Sequence, residues 1–141
     1  MICPVQKGSI LMNETVLLYN FSGTPAGQKL KPILLKLRLK VRIVKPEEYL
    51  EPIGHLAGLK TVPGNESHYD GAPLPEPMLL MKGFSEPLLD TFLMALRKQK
   101  LVIPLKAVLT EQNAAWDSLT LYSELKKEHE LMIKREHELI K

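Results

Sequence analysis

Lys106, Thr110, Asn113 and Trp116 come nearest, by type and spacing, to a ligand site in this 141-residue chain. A lysine, a hydroxyl and an amide this close in sequence are able to converge on an anion, with an indole ring as an aromatic wall. They follow the fourth strand expected from the sequence, and ligands of open α/β sheets collect outside the carboxyl ends of strands. The same residues have a plainer structural use. Thr110 and Asn113 can tie a turn through local backbone hydrogen bonds, Trp116 can plug a sheet–helix junction, and Lys106 can end in solvent. That second use is the simpler one.

Other chemistries find less support. Residues 20–27, Asn-Phe-Ser-Gly-Thr-Pro-Ala-Gly, follow the first strand as a phosphate-cradling turn does. They lack both the Gly-x-Gly-x-x-Gly spacing and the Lys-Ser/Thr of a nucleotide loop. The histidines are His55, His68, His129 and His137. The last two stand more than two helical turns apart and cannot share one ion within a chain. Their Glu-His-Glu settings fit a solvated helix surface, with Glu130 and Lys134 as an i,i+4 pair. Cys3 is the only cysteine, so the chain can form neither an internal disulfide nor a four-cysteine metal site. No neighbour lowers its pKa in an evident way. Ser22 and Ser85 fit turn and cap positions, and no carboxylate pair is placed across a cleft for acid–base work. No catalytic residue, metal or cofactor is expected.

Composition sets the frame for these residues. A hydrophobic content of 45% is ordinary for a soluble protein. This length suffices for one domain, residues 1–141, with a core that needs no metal or disulfide. The apolar start is too short for a signal core, and charge interrupts the other apolar runs before a bilayer-spanning length. A cytoplasmic protein without a membrane segment is the expectation. The net charge of +3 is local: residues 29–45 hold seven basic and no acidic side chains, while 124–141 balance to zero. That basic stretch has no aromatic residue, so nucleic-acid binding, which adds stacking to charge, is not expected. It reads instead as a solvated helix face and an edge strand kept from pairing by its cations.

The elements that must position these groups look written twice. Val-Leu-Leu-Tyr-Asn-Phe at 16–21 and Met-Leu-Leu-Met-Lys-Gly-Phe at 78–84 are each followed by Ser and then Pro (Ser22 and Pro25, Ser85 and Pro87). Each runs through a helix into a second strand. Two βαβ-type units, about 15–60 and from 78 onward, separated by the Pro/Gly-rich loop 61–77, argue for one small α/β domain. Strands are expected at 15–19, 41–44, 78–81 and from 101 to as far as 108. Helices are expected after Thr24 or from near Lys31, because Pro32 leaves both starts open; at 46–56; after Ser85; and from Ser118, with Asp117 as cap, to near the end. Ile10, Leu11 and Met12 fit either a sheet edge or an irregular lead-in. The expected sheet is four-stranded and mainly parallel in the order 2-1-3-4, with a ferredoxin-like α+β arrangement as the alternative.

Ile103-Pro-Leu-Lys-Ala-Val-Leu-Thr110, Asn113, Trp116, Leu125 and Glu128-His129, preceded by Phe84, Leu89, Leu93 and Leu96-Arg97, resemble the signature of a small uncharacterised bacterial domain family found mainly in clostridia. The resemblance covers about 50 residues and implies no activity, since that family has no assigned function. The sequence therefore favours a non-catalytic domain that acts by binding a protein partner or a second copy of itself. The edge strand 41–44 and the C-terminal helix are the expected contact surfaces, with Tyr122, Leu125, Met132 and Leu139 as a self-association face. The alternative is a small-molecule or anion-binding protein, possibly enzymatic, using Lys106, Thr110, Asn113 and Trp116.

Overall fold

The computed structural model describes the backbone of residues 14–140 and the side chains of 14–135. Cys3 and residues 10–12 fall outside the described residues. In chain order the elements are β1 (Thr15–Tyr19), α1 (Pro25–Lys36), β2 (Lys40–Ile43), a 3-10 turn (Pro46–Glu48), α2 (Ile53–Leu56), β3 (Met78–Lys82), α3 (Glu86–Lys98), β4 (Lys106–Val108) and α4 (Ser118–Ile140).

The sheet order is β2-β1-β3-β4, as the sequence leads one to expect, with the dense apolar runs in the middle. β1 pairs parallel to β2, and β3 parallel to β4. The central pair differs from a wholly parallel sheet: β1 and β3 run antiparallel, with Leu17 opposite Leu80. The ferredoxin-like alternative is excluded because it separates the two strands of each helix-linked pair by a third, whereas here they are neighbours.

Both central strands are buried on both faces, which is why they lack polar alternation. On one face Val16, Leu18, Leu79 and Met81 pack against Leu30, Ile33 and Leu34 of α1 and Phe92 and Leu96 of α3. On the other, Leu17, Tyr19, Met78 and Leu80 meet Val44, Tyr49, Ile53, Leu56, Leu74, Leu105 and Leu121. A polar pair lies within that second layer. The Tyr19 hydroxyl and Ser118 Oγ are 2.8 Å apart, both buried, and burial pushes the phenol well above its ordinary range. Such a pair satisfies itself; left single, either hydroxyl would cost a desolvation penalty.

Several boundaries move for stated reasons. Thr24 caps α1 by accepting from the Gly27 amide, so the helix begins at Pro25 and carries Pro32 inside it. The stretch expected as one helix at 46–56 divides into the 3-10 turn and α2, because Pro52 disfavours helical backbone at the residue before it. β4 does not begin at Leu101. Pro104 has no N–H for a ladder, and pairing starts only at Lys106. The caps at Ser85 and Asp117 form as expected, accepting from Leu88 and Thr120 amides. Both α1 and α3 end in the same backbone loop: Leu39 N–H reaches Leu34 O, and Leu101 N–H reaches Leu96 O. The turn residues Arg38 and Lys100 have φ of 56° and 55°, a left-handed conformation usually given to glycine.

Loop 61–77 is pinned rather than free at its second half. Leu74 is buried, its amide donates to the Tyr49 hydroxyl, and its carbonyl accepts from Asn20 Nδ2.

Candidate functional site

The residues expected to hold a ligand are near one another but mostly engaged. Lys106 opens β4 and folds its ammonium back onto the Ile103 carbonyl, and burial holds it below the usual lysine range. Thr110 and Asn113 tie the turn after β4 to each other. The Thr110 amide donates to Asn113 Oδ1 at 2.8 Å, and the Asn113 amide donates to Thr110 Oγ1 at 3.2 Å. Asn113 Nδ2 also donates to the Val108 carbonyl at 3.1 Å, which closes the end of the strand. Trp116 is half-buried at the margin of the second core layer. Its carbonyl accepts from the Ile53 amide, while Ala114 O accepts from Gly54 and Tyr49 O from Ser118. Segment 114–118 is thus laced to 49–54, and Gly54 fits because a Cβ there would stand 2.9 Å from Ala114 O.

The four residues expected on a self-association face are divided. Tyr122 and Leu125 pack on the second core layer, and the Tyr122 hydroxyl donates to Glu76 Oε2 at 2.7 Å. Lys126 joins the same carboxylate at 2.8 Å. Lys126 and Tyr122 together hold Glu76 below the usual carboxylate range. Met132, farther along α4, is exposed, as are Leu131 and Ile133. The side chain of Leu139 lies outside the described residues.

An open concavity lies elsewhere, between α1 and the edge strand β2. It holds about 700 Å³, with Leu18, Phe21, Leu34 and Leu39 at its base, Val41 and Ile43 on the strand side, and Gln28, Lys31 and Leu35 along the helix. Gln28, Lys31 and Leu35 recur at helical spacing and so form one rim. Register explains the strand side. Val16 lies opposite Val41 and Leu18 opposite Ile43, which puts all four on the α1 face, yet α1 leaves the outer two uncovered. Val41 remains 42% and Ile43 57% exposed, and Leu35 77%.

Backbone direction adds to this. Lys40 N–H donates to Glu14 O and Val44 N–H to Leu18 O, each at 3.0 Å. Strand alternation then turns the N–H and C=O of Val41 and Ile43 outward, away from β1. The two residues that present apolar side chains to the groove also present ladder groups that no strand among the described residues pairs. On the opposite face Arg42 is ion-paired with Glu48. Burial alone would raise Glu48, but the Lys45 amide and Arg42 hold it below its usual range.

Sequence reasoning places a contact surface at this edge but misses the groove. Helical spacing assigns Leu30, Leu34 and Leu37, with Ile33 alongside, to the apolar stripe of this helix; Leu35 falls outside it, and an apolar residue beside the stripe is the one signal that the apolar face extends past the core. Among the described residues no three His, Cys, Asp or Glu side chains gather as a metal site, and no helix is long and apolar enough to cross a membrane.

A family model described as a domain of unknown function (DUF3783) matches residues 77–132. The match runs from the start of β3 into α4, so it takes in the Lys106–Trp116 region and leaves out β1, α1, β2 and the groove. No curated protein and no solved structure matches the chain. What the chain is similar to is therefore an uncharacterised domain family, and the similarity carries no activity.

Proposed function

We propose that this is a non-catalytic interaction domain, and that its contact surface is the β2 edge with the groove beside α1, where an extended segment of a partner protein adds to the sheet. One observation carries the reading: Val41 and Ile43 combine outward ladder groups with side chains open to a groove of about 700 Å³. Strand addition uses that combination, with the main chain giving affinity and alternate side-chain pockets giving selectivity. An anion site at the end of β4 is less favoured, because Lys106, Thr110 and Asn113 direct their polar atoms to neighbouring backbone. Assembly through α4 is less favoured too, because Tyr122 and Leu125 already serve the chain's own core.

The test compares the full chain with an Ile43→Lys variant as immobilised baits, with cross-linking of whatever is retained. The expected result is a partner held by the first and not the second, cross-linked to residues near 40–43. Cross-links concentrated on 106–116, or on α4 beyond Glu130, would move the function to those regions. Native mass spectrometry of the full chain beside a truncation ending at Glu130 settles assembly separately. A dimer lost on truncation would favour the helix, and a reproducible small added mass would favour a ligand site.

A further inference from the structure

The chemistry of the incoming segment follows from what flanks the β2 edge. This inference rests on strand addition at that edge. We propose that the segment is an acidic amphipathic strand, with apolar side chains at alternate positions over Val41 and Ile43 and carboxylates between them facing Lys40 and Arg42. Successive residues of a strand point to opposite faces. A strand laid along β2 therefore puts every second side chain toward the apolar groove and the others over the face that carries Lys40 and Arg42.

That second face is cationic and short of acid. Lys40 lies in register with Thr15, and Thr15 with Lys82, so two lysines flank one row of the sheet. Burial, with Lys40 adding to it, holds Lys82 below its usual range. Neither lysine has an acidic partner among the described residues, whereas Arg42 is paired with Glu48. On the groove side Lys31 stands at the rim, also without an acidic partner among the described residues. Residues 29–45 supply no acid of their own.

The same charges count against a second copy of the chain as the occupant. Two β2 edges paired together would bring Lys40 and Arg42 of each against those of the other. Like charges across a strand pair are destabilising, whereas carboxylates there are favourable.

The experiment selects binders to the full chain from a displayed library of random eight-residue peptides and maps the best by amide chemical shifts. The expected peptides alternate apolar residues with Asp or Glu and shift residues of α1 and β2. Replacing two of their carboxylates by amides should weaken binding about 2–30-fold, from the usual worth of cross-strand charge pairs. Lys40→Glu should lose the acidic peptide and gain its lysine-substituted counterpart, an exchange that mere damage to the fold would not produce. Peptides that map to β2 without acidic preference would overturn the charge chemistry and leave strand addition standing. No enrichment, or binders that map elsewhere, would overturn both. Equal displacement of the peptide by an oligouridine RNA would assign the basic face to nucleic acid instead. Slow exchange of the Val41 and Ile43 amides that disappears when residues 1–13 are deleted would show the edge already covered by the chain itself, and would also overturn the proposal.

Discussion

The two edges of the sheet solve the same problem differently. An edge strand exposes ladder groups that invite another strand, and proteins blunt it by shortness, proline, charge or covering. The β4 edge uses several of these at once. It is three residues long, Pro104 stands just before it, Lys106 folds back onto Ile103, and Asn113 closes the Val108 carbonyl. The β2 edge has charge alone. Its four residues are all exposed, two are apolar, and nothing among the described residues lies over the groove beside them. A closed edge has a structural duty; an edge left open, apolar and basic is the better candidate for contact.

This contrast can be broken by measurement. Leu105, buried just before β4, should cost about 2–5 kcal/mol on replacement by Ala, while Ile43→Ala on the other edge should cost less than about 0.5 kcal/mol. Urea unfolding of both variants checks this, and comparable losses would mean that β2 is covered in solution. Asn113→Ala removes the two side-chain hydrogen bonds that close the β4 end and should cost about 1–2 kcal/mol; an unchanged midpoint would remove the turn from the account. Each edge strand is preceded by a left-handed turn residue, so Arg38→Gly and Lys100→Gly should each stabilise by about 0.5–1 kcal/mol. A loss at either position would deny that strain. Hydrogen exchange sharpens the register: the amides of Val41 and Ile43 should exchange faster than those of Lys40, Arg42 and Val44.

The smallest effect concerns pH. Glu76 is depressed by Lys126 and Tyr122, so its contribution is present above the unfolded carboxyl value, about 4.3, and is lost as pH falls through the lower folded value. Because the group is exposed, screening keeps the effect slight. Glu76→Gln should lower stability a little at pH 7 and progressively less as pH falls below the unfolded carboxyl value; a loss that does not shrink with pH would point to packing instead.

Much of the fold was legible because the signals were local and mutually consistent. The apolar runs at 15–19 and 78–81 could only be buried strands, and Leu88, Leu89, Phe92, Leu93 and Leu96 follow helical spacing behind a Ser85 cap that forms as expected. The site was less legible. The types of Lys106, Thr110 and Asn113 suggest convergence on a ligand, but type does not reveal that their polar atoms are used by Ile103, Val108 and one another. Leu125 and Met132 stand seven residues apart on α4, yet Leu125 packs on the second core layer and Met132 is exposed, so one repeat serves two environments.

The sequence by itself determined the element types, the caps and the two central strands, since these follow from side-chain period, proline and hydrogen-bonding residues a few positions apart. Only the tertiary structure decided that β1 and β3 run antiparallel and that α1 stops short of β2. It also decided that Val41 and Ile43 face an open groove while the turn after β4 closes on itself. Those outcomes depend on how far a helix reaches across a sheet and which way a strand enters it, distances set between residues remote in the chain, which no local pattern encodes.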